Sequence, residues 1–117
     1  MKTLMIVDDE DDLRNSLCGL IRFSKPIKVL SAGTGKEAID TYREHKPDCV
    51  FLDLGLPDIH GFDVLKSIKE MNPSAKVYIV SGYSDLETKT KAKELGALKF
   101  INKPIALEEL LEILKTI

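Results

Sequence analysis

Short apolar runs alternate with longer stretches of helical period from one end of the chain to the other. Leu4-Met5-Ile6-Val7, Cys49-Val50-Phe51-Leu52 and Val77-Tyr78-Ile79-Val80 are apolar throughout. Ile27-Lys28-Val29-Leu30 and Lys99-Phe100-Ile101 are shorter in apolar content and carry lysine. Between the runs, apolar residues recur every three or four positions. Leu13, Leu17, Leu20 and Ile21 share one helical face, as do Leu107, Leu110, Leu111 and Leu114. Strands are predicted near 3–7, 27–31, 48–52, 76–81 and 99–102, and helices near 11–23, 35–45, 61–71, 85–95 and 106–116. Strands alternating with helices define βα units around a parallel sheet, an α/β fold.

Local signals sharpen the boundaries. Thr34-x-x-Glu37 and Ser84-x-x-Glu87 read as capping boxes opening the second and fourth helices. Gly96 closes the fourth, because glycine enters the left-handed conformation cheaply. The three uninterrupted apolar strands suit central positions covered on both faces. The two lysine-bearing strands suit edges, where charge discourages association. Right-handed crossovers then favour the order 2-1-3-4-5. The fourth helix has little apolar surface, with Leu86, Ala92 and Leu95 set among Lys89, Lys91 and Lys93. It reads either as a solvated face or as a weakly anchored element able to shift.

With 117 residues, the chain fits one domain, expected over residues 1–117. Its 44% hydrophobic and 31% charged content is that of a globular protein rather than a disordered one. The formal net charge of -2 argues against direct nucleic-acid binding, which usually requires a basic excess. Cys18 and Cys49 lie inside apolar patterns and read as buried free thiols in a reducing compartment. Neither a signal peptide nor a membrane-length apolar run is present in the sequence, so a cytoplasmic location and no membrane partner are expected.

Candidate chemistry gathers at strand ends. The third strand ends in Asp53, the first in Asp8-Asp9-Glu10, the fourth in Ser81-Gly82, and Lys103-Pro104 follows the fifth. In an open parallel sheet the C-terminal strand ends form the ligand crevice, and order 2-1-3-4-5 brings Asp8, Asp9 and Asp53 to its switch point. Three carboxylates offer the hard oxygen ligands that Mg²⁺ prefers. Lys103 and Ser81 supply a point charge and a hydroxyl for phosphate oxygens. Alone, an Asp after a strand is a turn former or helix cap, Ser81-Gly82 is ordinary turn chemistry and Lys103 is a solvated lysine. Together they point to metal-assisted phosphoryl transfer onto an aspartate nucleophile.

Over essentially its whole length the chain resembles the receiver domains of two-component response regulators. The resemblance rests on Ile6-Val7-Asp8-Asp9-Glu10, on Val50-Phe51-Leu52-Asp53-Leu54-Gly55-Leu56-Pro57 with Gly61, on Val80-Ser81-Gly82 and on Lys103-Pro104. It implies a flavodoxin-like, doubly wound five-stranded parallel sheet with five helices, whose usual strand order is the one derived above. It further implies that Asp53 is the phosphoacceptor, with Mg²⁺ held by Asp9 and Asp53 directly, by Asp8 through water and by the Gly55 backbone carbonyl. Ser81 and Lys103 would contact the phosphoryl group. Ser81 and Phe100 would form the switch, and the Lys103–Pro104 bond would be cis. The implied partners are a sensor histidine kinase or histidine phosphotransfer protein, and a downstream protein or second receiver at the surface of the fourth helix, fifth strand and fifth helix.

Three positions depart from common usage in that family. Gly55 leaves one flank of the site without a side chain, Tyr83 is bulky and could lie over it, and His60 stands where a small polar residue is usual. The first two imply slow loss of a phosphoryl group. Two other functions fit parts of the pattern. An aspartate-nucleophile phosphohydrolase of the haloacid-dehalogenase-like kind would need a second acid at Gly55 and a cap domain. A constitutive interaction domain would have no use for the intact acids, Ser81 and Lys103.

Overall fold

The computed structural model describes residues 2–24, 26–82 and 85–117. Strands β1 (Thr3–Val7), β2 (Lys28–Ala32), β3 (Cys49–Leu52), β4 (Val77–Ser81) and β5 (Lys99–Asn102) form one parallel sheet in the order β2-β1-β3-β4-β5. Helices α1 (Asp11–Ser24), α2 (Gly35–His45), α3 (Gly61–Met71), α4 (Leu86–Glu94) and α5 (Leu107–Lys115) connect and cover it. The three central strands are buried at nearly every position, while β2 and β5 expose alternate residues. The lysine-bearing strands are therefore the edges.

Pleating sorts the apolar side chains into two layers. Leu4, Ile6, Phe51, Val80 and Ile101 pack with Leu17, Cys18, Ile21, Leu110, Ile113 and Leu114 of α1 and α5. Met5, Val7, Val50, Leu52, Val77 and Ile79 pack on the opposite face with residues of α2, α3 and α4. Each such fully buried aliphatic contributes about 1.5–3 kcal/mol. Phe51 and Tyr78 add an edge-to-face contact at 5.7 Å on adjacent central strands.

Two helix faces differ from the periodicity. Leu20 is 50% exposed, and Cys18 takes the inward position beside Leu17 and Ile21. In α5, Leu107 is 55% exposed and Leu111 also lies outward, while Leu110, Ile113 and Leu114 are buried. A run rich in leucine defines a broad stripe, and the sheet beneath accepts only part of it. The fourth helix begins with Asp85, whose carboxylate accepts from the Thr88 N–H at 3.1 Å. The predicted capping residue Ser84 and the bulky Tyr83 lie outside the described residues. Gly96 ends α4 as expected, at φ +97. Its N–H donates to the Lys93 carbonyl and that of Ala97 to the Ala92 carbonyl, the paired bonds of a Schellman motif. Ala92 is the one buried residue of α4, and Leu86 is 80% exposed, so this helix is held by few apolar contacts.

Candidate functional site

The ladder bonds that end the strands place the acids. Asp8 N–H donates to the Ala32 carbonyl and Asp53 N–H to the Val7 carbonyl, so β1 and β3 deliver Asp8 and Asp53 side by side at the C-terminal edge. On the other flank Ser81 pairs in register with Asn102, and the Lys103 N–H donates to the Ser81 carbonyl. The Lys103–Pro104 peptide is cis.

The side chains converge. Lys103 Nζ lies 2.8 Å from Asp8 Oδ2 and 3.1 Å from Asp53 Oδ2. Asp8, Asp53 and Ser81 are buried, while Asp9 is exposed at the rim. Carboxylate oxygens of Asp8, Asp9 and Asp53 lie within 4.8 Å of one another. With Lys103 included, the formal charge of this group is two units negative, a deficit that one divalent cation balances. The donor set is all carboxylate, two members are held in place by the sheet, and the open side faces solvent, so these residues fit Mg²⁺. Burial pushes the Lys103 ammonium toward a lower pKa, but its hydrogen bonds to Asp8 and Asp53 and their charges outweigh this. The net shift is upward, and the ammonium stays charged.

Backbone donors fix the acids further. Glu10 N–H donates to Asp8 Oδ1 at 2.9 Å, and Gly55 N–H approaches Asp53 Oδ1 at 3.4 Å. The loop after Asp53 doubles back tightly. Gly61 N–H donates to the Leu54 carbonyl, and a Cβ on Gly61 would stand 2.6 Å from the Asp53 carbonyl oxygen. Phe100 is half-buried at the edge of the second core layer, with Lys89 Nζ 5.9 Å above its ring.

Three supporting residues were not singled out for these roles by the sequence pattern. Arg14 donates from Nη1 to the Asp8 carbonyl at 2.7 Å and from Nη2 to Asp11 at 2.7 Å, which ties α1 to the loop carrying Asp8 and Asp9. Asp58 accepts from the N–H groups of Gly35 and Lys36 at 2.8 and 2.9 Å, docking the β3–α3 loop on the N-terminus of α2. Those two N–H groups hold the Asp58 carboxyl below its ordinary pKa. His60 caps α3 by accepting from the Phe62 N–H through Nδ1 at 3.0 Å. Only the helix-starting position of His60 had a sequence signal, the turn followed by Gly61.

An open α/β sheet with an acidic pocket and a lysine at its strand ends defines a phosphoryl-handling signalling domain of the CheY-like class. Residues 4–115 match the response regulator receiver domain family, and the chain belongs to it. It is 32% identical over 116 residues to the chemotaxis protein CheY of Thermotoga maritima, covering 99% of this chain and 97% of that protein. It is 30% identical to sporulation initiation phosphotransferase F of Bacillus subtilis, covering 96% of this chain and 90% of the relative. The transcriptional regulatory protein KdpE of Mycobacterium tuberculosis is 34% identical, and there the chain spans 50% of the relative's length. A CheY-like receiver domain from Methanospirillum hungatei superimposes with a TM-score of 0.93 at 28% identity, over 99% of this chain and 92% of that one. Receiver domains are signalling phosphoacceptors of two-component systems, phosphorylated by histidine kinases or phosphotransfer proteins. Among the described residues no helix is long and apolar enough to cross a membrane.

Proposed function

We propose that residues 1–117 act as a single receiver domain that accepts a phosphoryl group on Asp53 from a sensor histidine kinase or histidine phosphotransfer protein, in the cytoplasm. The observation that carries this reading is the convergence of Asp8 and Lys103 on the buried Asp53 carboxylate. Asp9 and Asp53, with the Gly55 carbonyl and with Asp8 acting through water, would hold Mg²⁺. The ion supplies charge neutralisation at the phosphoryl oxygens. The rest belongs to the chain's own groups. Asp53 attacks phosphorus, Lys103 binds a phosphoryl oxygen as a point charge, and Ser81 donates to another.

The output in this reading runs through Ser81 and Phe100. Ser81 turns toward the new phosphoryl oxygens, and Phe100 rotates into the space beside β5. The lightly anchored α4 then shifts, changing the surface it makes with β5 and α5, where a downstream protein or second receiver binds. Packed interiors favour two discrete arrangements over gradual deformation, so contacts worth a few kcal/mol suffice to move the population. Neither nucleic acid nor membrane is a direct partner of this domain.

Acetyl phosphate with Mg²⁺ provides the test. Phosphoryl incorporation should stop near one per chain, with release of inorganic phosphate slow thereafter. Rapid continuous turnover would favour an aspartate phosphohydrolase, and absence of incorporation would favour a constitutive interaction domain. Amide exchange with and without beryllofluoride reads the output. Changes confined to the loops around Asp53, with none across 81–103, would rule out this route.

A further inference from the structure

Lys46 and Asn72, which cap the C-terminal ends of α2 and α3, stand shortly before β3 and β4 in the chain, so both helices end at the edge of the sheet opposite Asp53. Between these helix ends lies a cleft of about 220 Å³, lined by Tyr42, Arg43, Lys46, Met71 and Asn72. Arg43 and Lys46 bring positive charge, and no acid lines the cleft. Tyr42 is buried, and its hydroxyl oxygen accepts from Asn72 Nδ2 at 3.1 Å. Among the described residues no group accepts the Tyr42 O–H, so a buried donor is left for an occupant of the cleft. Basic residues in a last helical turn ordinarily offset the helix dipole, which accounts for Arg43. It does not account for Lys46, the one non-glycine with positive φ among the described residues, at +46. Glycine fits that position best, because a Cβ crowds the backbone in the left-handed conformation. A lysine held there places an ammonium on the cleft against the backbone preference.

We infer that this cleft is a binding site for a small aromatic carboxylate, separate from the phosphoacceptor pocket. The carboxylate meets the charges of Lys46 and Arg43 and accepts the Tyr42 O–H. Arg43 pairs only with exposed Asp40 at 3.3 Å, a surface contact weak enough for the guanidinium to turn to a ligand. The helix ends oppose an anion little, since the Tyr42 and Ile68 carbonyls already accept from the Lys46 and Asn72 N–H groups. Met71 supplies the contact for the ring, because its polarisable sulfur packs favourably on aromatic edges. A cavity of about 150 Å³ accommodates one benzene ring, so this cleft has room for a ring bearing a carboxylate.

The test titrates the full chain with benzoate and follows backbone amide shifts by NMR, with benzamide as the neutral isostere and acetate as the anion without a ring. Benzoate is expected to shift Arg43, Lys46, Met71 and Asn72 saturably, and to bind about tenfold more tightly than either control. Lys46→Gly suits the left-handed backbone, so it should unfold no more easily than the wild type yet bind benzoate about tenfold more weakly. Tyr42→Phe, which removes only the buried hydroxyl, should weaken benzoate by a similar factor. Benzoate shifts that do not saturate at millimolar concentration, that scatter over surface lysines elsewhere, or that benzamide reproduces would overturn the inference. So would equal benzoate affinity in the wild type and Lys46→Gly. Phosphorylation of Asp53 enters none of these measurements, so their outcome is independent of the phosphoacceptor reading.

Discussion

Replacing Lys103 by methionine should destabilise the metal-free protein, and Mg²⁺ should restore it. The ammonium lies 2.8 Å from Asp8 and 3.1 Å from Asp53, both of which are buried. At an effective dielectric of about 20, the two attractions are on the order of 5–6 kcal/mol each before desolvation. Much of that is offset by taking the charges out of water. Removing one partner of a buried ion pair costs about 3–5 kcal/mol, because the other is left uncompensated. The Lys103 side chain is 19% exposed, which draws the expectation to the lower end, about 2–3 kcal/mol. For a chain of this size that lowers Tm by about 8–12 °C.

Chemical and thermal unfolding in chelator measures this loss directly. Adding Mg²⁺ should stabilise Lys103→Met more than the wild type, since the ion then supplies the missing positive charge. Adding Asp8→Asn to Lys103→Met should recover more than half of the loss, giving a coupling energy above about 1 kcal/mol. The pH dependence carries the same sign. The folded pKa of Lys103 is raised above 10.5, so its contribution is complete below that pH and is lost as pH climbs through the folded value. The stability gap between wild type and variant should close only in strongly alkaline solution. A gap within about 0.5 kcal/mol of zero in chelator, or additive single and double variants, would refute the charge-balance reasoning.

Gly61→Ala should cost at least about 2 kcal/mol in urea unfolding, because its Cβ would press on the backbone of Asp53 and Leu54 at 2.6 Å. Gly19→Ala, with open space around the new Cβ inside α1, should instead stabilise by about 1 kcal/mol. Burial pushes the Cys49 thiol pKa up to about 12, so its alkylation at neutral pH should proceed only as fast as the protein unfolds; fast native-state labelling would contradict the buried environment. Gly55→Asn should shorten the lifetime of the phosphorylated form, followed by its decay after donor removal, because a side chain there can orient the attacking water. An unchanged lifetime would show that this flank does not direct water.

Strand positions and sheet order were legible because they follow from local facts: uninterrupted apolar runs in the centre and lysines at the edges. The strand-end acids were legible for the same reason, since Asp8 and Asp53 directly follow the strands that place them. Helix faces were less so. Leu20, Leu107 and Leu111 carry the helical period yet face outward, because tertiary packing and not the period decides how wide a stripe is buried. Contacts between loops were not legible at all. Asp58 reaches amides 22 and 23 residues earlier in the chain, and Arg14 reaches back to a backbone carbonyl. Such partners have no period and no spacing rule. They depend on how two loops meet once the sheet has formed.

The most direct test of the central claim is the intact mass and peptide map of wild type and Asp53→Asn after exposure to a phosphodonor, with Mg²⁺ and with chelator. One phosphoryl group on the peptide containing Asp53, dependent on Mg²⁺ and absent from a folded Asp53→Asn, is the predicted result. Labelling that persists in Asp53→Asn, that maps to another residue, or that is indifferent to chelator would contradict it.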